Sequence, residues 1–228
     1  MSKKQAREEL ESDPLLETFS KAQSFYDQNK SAVIGGIIAL ILIIGGGIGY
    51  YYYSTSQEES AQQLLSDATT YYINGNYQQA LTGSDEDFAV GFEQIIDNYP
   101  RTDAANLARY YAAVSAYNVG NLQEAISYIE DYELPDGILG VGPISFHAML
   151  MTEAGNYSEA AELYIKAAEW DENSSTTPFN YLKAAQTYNS AGEKEQAKEY
   201  AQLVVDEYSN SPQASEAQRL LGTLATAN

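Results

Sequence analysis

GNYQQA at residues 75–80, GNLQEA at 120–125, GNYSEA at 155–160 and GEKEQA at 192–197 decide how this chain folds. Each opens on a glycine and closes on an alanine five positions later. A second alanine stands twelve positions before each closing one: Ala68, Ala113, Ala148 and Ala185. Antiparallel helices approach closely only where small side chains oppose each other, and a tight turn between them favours a residue that accepts positive φ. The pattern therefore predicts four helix hairpins, each turning at its glycine. First helices are expected over about 57–73, 102–118, 143–154 and 178–190, with a second helix after each turn. One more helix, over about 213–225, is expected to cap the last apolar face.

The glycines are 45, 35 and 37 residues apart, and this spacing resembles the 34-residue tetratricopeptide period. The fold class that follows is all-α: a tetratricopeptide-like solenoid of about four hairpins plus a capping helix. Tyr71, Phe92, Ile95, Tyr164, Ala167, Tyr188 and Val204 are placed in the outer layers, and Pro100 and Pro212 fall where repeat helices stop. An insertion at residues 81–87 accounts for the long first interval and reads as a solvated acidic loop, since it lacks the alternating oxygen ligands of a calcium loop. Residues 136–145 hold Gly137, Gly140 and Gly142 without a preceding strand, so they read as a flexible joint between repeats two and three rather than a nucleotide loop.

Upstream, residues 32–53 contain no charge, and 37–44 are Ile and Leu with one Ala. About 20 helical residues cross the roughly 30 Å hydrocarbon layer, so the run is long enough to span it. Tyr50, Tyr51, Tyr52 and Tyr53 supply rings suited to the headgroup level. Six acids precede the run, unlike the short basic start of a cleaved signal peptide. Lys3, Lys4, Arg7, Lys21 and Lys30 precede the span and the next base is Arg101. Positive charge stays inside, which places 1–31 in the cytoplasm, 32–53 in the membrane and 54–228 outside, in a Gram-negative cell the periplasm. Leu15, Leu16, Phe19, Ala22, Phe25 and Tyr26 recur at helical spacing and predict an amphipathic helix whose face lies on the membrane or on a partner. Gly45 and Gly49 share one face of the span, a spacing that lets a second helix pack closely.

The chain has 228 residues, 32 acids against 12 bases and a formal net charge of -20, which opposes binding to nucleic acid. Acidity of this kind also accompanies adaptation to salt. There is no cysteine and one histidine, His147, so a thiolate metal site and a histidine-based triad both lack their parts. His147 is expected to be a satisfied, partly buried packing residue. No cofactor, small-molecule substrate or enzymatic activity is expected. What remains is surface. By repeat position Tyr72, Tyr110, Val114, Tyr117, Met149, Gln186 and Asn189 should face a concave groove suited to peptide segments. Lys183 is the one base placed there, which disfavours acidic tails.

FYDQNKSA at 25–32, running into the span, and SQEESA at 56–61 beyond it resemble the single-span tetratricopeptide proteins of the YfgM type, ancillary subunits of the bacterial Sec translocon. TTP at 176–178 with YLKA at 181–184 is similar to tetratricopeptide anchor proteins of Bacteroidota. The resemblance implies a bacterial inner-membrane protein with one span. It also implies association with the Sec translocon and with a membrane-anchored periplasmic chaperone of the prolyl-isomerase type, near exported clients. A general envelope scaffold and, more remotely, an envelope hydrolase are the competing readings.

Overall fold

The computed structural model describes residues 14–84 and 89–226, in two compact units, Met1–Ser56 and Gln57–Asn228. Among the described residues every regular element is helical. The order is α1 (Pro14–Gln28), α2 (Lys30–Ile73), α3 (Tyr77–Thr82), α4 (Phe92–Asn98), α5 (Asp103–Asn118), α6 (Leu122–Glu130), α7 (Ile138–Glu153), α8 (Tyr157–Trp170), α9 (Thr177–Ala191), α10 (Lys194–Glu207) and α11 (Ala214–Thr226).

In the first unit, α2 carries the apolar run. Its most apolar window has mean hydropathy 2.5, and none of that window is buried. Among the described residues one helix is thus long and apolar enough to cross a membrane. The first helix of repeat one is not separate, as expected at 57–73, but forms the end of α2, because residues 50–57 contain no Gly or Pro to stop it.

In the second unit the hairpins close where the small residues stand. Ala68, Ala80, Ala113, Ala125, Ala148, Ala160, Ala185 and Ala197 all have zero exposure, and the four turn glycines all take positive φ. Leucine at these places would hold the helices apart. Phe92, Ile95, Val204 and Ala167 are fully buried, and Tyr164 and Tyr188 nearly so. Two details depart from expectation. The second helix of repeat one is broken into α3 and α4, joined through an antiparallel bridge between Ser84 and Ala89. Leu81 belongs to α3 and is buried, so the insertion is not a free loop from its first residue; its acids 85–87 lie outside the described residues.

Residues 136–145 are not a flexible joint. Helix α7 begins at Ile138, with Gly137 as its N-cap. Gly140 is buried because the Trp170 ring lies against it: a Cβ there would sit 2.2 Å from Trp170 Nε1 and 2.5 Å from the Pro135 carbonyl oxygen. Trp170 Nε1 donates to that same carbonyl at 3.2 Å. Glycine serves close approach here, not freedom.

Repeat stacks on repeat through side-chain bonds whose span reports the period. Tyr117 donates to Glu153, Tyr128 to Glu93, Ser145 to Asn180, Ser158 to Glu193 and Trp170 to Pro135, each joining residues 35 or 36 apart. Across the longer first interval, Glu58 accepts from the amides of Asp103 at 2.7 Å and Ala104 at 3.1 Å. These are two of the unpaired donors at the start of α5. The Thr102 hydroxyl accepts a third, from Ala105.

Candidate functional site: an aromatic helix row

The first helices of the hairpins carry the candidate groove residues. Tyr72, at the end of α2, lies 4.9 Å from Tyr111 between ring centroids; Tyr110 on α5 lies 6.3 Å from Phe146 on α7; Tyr117 lies 6.0 Å from the same Phe146. Tyr110 also touches Tyr132 at 5.5 Å. The structure thus brings Tyr72, Tyr110 and Tyr117 into one aromatic network that crosses three repeats, through rings the groove reading omitted: Tyr111, Tyr132 and Phe146. Their signal was available. Phe146 stands 36 residues after Tyr110, one repeat on, and Tyr111 is the second member of a Tyr doublet like Tyr71 and Tyr72.

All three groove tyrosines are half-buried, so they serve hairpin packing as well as surface. Burial, first, and then neighbouring phenols push the hydroxyls of Tyr72 and Tyr110 above their ordinary pKa. Tyr117 is raised chiefly by its 2.7 Å hydrogen bond to Glu153. Met149 packs, partly buried, against the same core, and Val114 is half-buried.

Gln186 and Asn189 do not join this network. They lie on α9, where a second aromatic group forms from Tyr181, Tyr200, Tyr188 and Tyr208. The Gln186 amide donates to Glu216 of α11 at 2.9 Å, so the capping helix engages it, while Asn189 is exposed. Lys183 sits with its ammonium 5.7 Å from the Phe179 ring centroid. Glu153 places an acid beside the row and Glu216 one beside Gln186, so both regions are poor seats for an acidic peptide. Gly45 and Gly49 are exposed on α2, with open space where a Cβ would stand.

His147 differs from its expected state. It is half-buried, but its Nε2 is buried with no hydrogen-bond partner. Burial lowers its pKa, and the nearby carboxylates of Glu130 and Glu159 oppose that effect. It lines a cavity of about 200 Å³ with Tyr132, Leu134, Ile144, Leu163 and Lys166. Among the described residues no three His, Asp or Glu side chains converge to hold a metal.

These stacked hairpins define a helical-repeat interaction protein. Comparison with known proteins gives the class its name: residues 23–132 match the model of a tetratricopeptide repeat-like domain, and residues 180–211 match a tetratricopeptide repeat. Two crystal structures of nearly identical TPR-like repeats, described as from a kinesin light chain of Podosopora anserina, superpose with TM-score 0.53 at 19% identity. They cover 76% of this chain and 85% or 86% of their own. That likeness concerns the fold. No curated protein matches the chain. The chain carries tetratricopeptide-type repeats, and such domains bind proteins.

Proposed function

We propose that this chain is a membrane-anchored scaffold that holds polypeptide partners outside the cytoplasm, at the bacterial inner membrane. The observation that carries this reading is the matched segment 23–132, which takes in the apolar run together with the first repeats. The absence of bases over residues 54–100 against five before the span supports an N-terminus inside. The proposed binding surface is the aromatic row of Tyr72, Tyr110 and Tyr117 with Val114 and Met149, with Gln186 and Asn189 on α9 as a second, separate part beside the capping helix. Gly45 and Gly49 are proposed to pack against a partner's membrane helix.

The partners proposed are those the resemblance implies: the Sec translocon, a membrane-anchored periplasmic chaperone and clients leaving the channel. Crosslinking in native membranes followed by mass spectrometry tests this. Recovery of channel subunits and exported clients supports it; recovery of envelope-assembly proteins alone moves the function to a general scaffold. Aromatic residues often dominate such surfaces, so Tyr110→Ala with Tyr117→Ala should weaken capture by more than about 1 kcal/mol. Folded double variant crosslinking at wild-type yield rejects the groove. Loss of crosslinking in Gly45→Leu with Gly49→Leu, alongside an unaffected tyrosine variant, moves recognition into the membrane. A phosphatase fused after Asn228 should be active when exported; an inactive, stable fusion reverses the orientation.

A further inference from the structure

Helix α1 presents an apolar face to solvent. At about 100° per residue, Phe19, Ala22 and Tyr26 share the centre of one arc, and Leu16 and Phe25 flank it. Leu16, Phe19, Phe25 and Tyr26 are 49, 68, 63 and 43% exposed. Glu17 and Lys21 fall on the opposite arc and pair with each other at 2.7 Å. Asp27 falls at the edge of the apolar arc, beside Leu16, and pairs with Lys30 at 3.1 Å.

Only Asn29 separates α1 from α2. The helix breaks and bends at this residue: its amide returns to the carbonyls of Phe25 and Tyr26, and its side-chain amide donates to Phe25 at 2.9 Å. The uncharged run begins two residues later, at Ser31.

We infer that α1 lies along the lipid headgroup layer, with its Phe19, Ala22 and Tyr26 face in the acyl boundary and its Glu17 and Lys21 arc in water. This rests on the reading that the following run spans the membrane. A span tethered by one residue delivers the face to the interface at high effective concentration, so a protein partner would have to displace lipid already in contact. Phe19, Phe25 and Tyr26 are of the kind that settles at that level. The residues of α1 include one base, Lys21, against two acids, Glu17 and Asp27, so attachment depends on apolar area rather than on anionic lipid.

Because the chain has no cysteine, single thiol-directed spin labels report one site each. Full-length chain is reconstituted in neutral phosphatidylcholine vesicles with labels at Ala22→Cys, Ser24→Cys or Ala39→Cys. Accessibility is read to oxygen, which partitions into lipid, and to a water-soluble nickel chelate. The inference expects the oxygen-to-nickel ratio at position 22 to exceed that at 24 several-fold and to approach that at 39. Phe19→Glu should reduce the ratio at 22 and leave 39 unchanged. A lipid-like signal at 39 with water-like signals at both 22 and 24 overturns the inference and leaves the anchor standing. A water-like signal at 39 overturns the anchor as well. A lipid-like signal at 22 that requires anionic lipid overturns the neutral mode of attachment.

Discussion

Repeats one and four close on the same small residues yet tolerate different chains between them. In repeat four, α9 and α10 run 15 and 14 residues without a break, and Ala185 and Ala197 are buried. In repeat one, Ala68 and Ala80 hold the same places, but the second helix stops after six residues, crosses the Ser84 to Ala89 bridge and resumes at Phe92. Phe92 and Ile95 then return to the core with zero exposure. Closure of a hairpin is therefore a local property of its turn and its small pair. An insertion is absorbed where the interrupted backbone finds new partners: Gly83 donates to Gln79, and Ser84 and Ala89 bond each other in both directions.

That difference breaks first at the strap. A Cβ on Gly91 would lie 2.3 Å from the Gly83 nitrogen and 2.4 Å from the Leu81 carbonyl oxygen, both backbone. Gly91→Ala should cost about 3 kcal/mol or more, above the usual overpacking range. In repeat four, Gly192→Ala meets open space and only a left-handed φ of 83°, so about 1 to 2 kcal/mol is expected. Thermal melting of both variants, followed by circular dichroism on the full chain in detergent, checks the contrast; equal losses would mean that the strap is loose.

Next in size is the small pair itself. Ala160→Leu and Ala197→Leu should each destabilise by about 1 to 3 kcal/mol, because both sites are fully buried between helices. Unchanged melting in both would show that closure does not depend on these alanines.

The link between repeats one and two should be worth somewhat less. Glu58→Ala removes a carboxylate that accepts two amides at the start of α5, for an expected loss of about 1 to 2 kcal/mol. Glu58→Gln keeps one acceptor oxygen and should lose less. Identical losses in the two would assign the effect to packing.

The smallest effect is alkaline. Burial first, then Glu169 and Tyr208, push Tyr181 from 10.0 up to about 12. An acid raised on folding favours the folded state fully below the unfolded pKa, and the contribution disappears as pH rises through the folded one. The melting temperature should therefore fall between about pH 10 and 12. Tyr181→Phe should flatten part of that fall, and an unchanged slope would remove Tyr181 as its source.

The hairpins were legible because their requirement is steric and local: a glycine at the turn and an alanine at the crossing can be read from spacing. The apolar run of α2 was legible for the same reason, since length and absence of charge are one-dimensional. The start of α7 was not. Gly140 reads as flexibility until Trp170, 30 residues on, is seen to occupy the space a side chain would need. His147 likewise read as satisfied because repeat position reports burial but not whether Nε2 finds a partner.

By itself the sequence determined the hairpin count, the closing residues, the uncharged run and the amphipathic arc of α1, all of which depend on periodicity along one chain. Tertiary structure decided which rings meet. Tyr72, Tyr110 and Tyr117 become one network only through Tyr111 and Phe146, while Gln186 turns to Glu216 on the capping helix. Contacts between repeats depend on how successive hairpins rotate as they stack, and that rotation is set by side chains from both hairpins together.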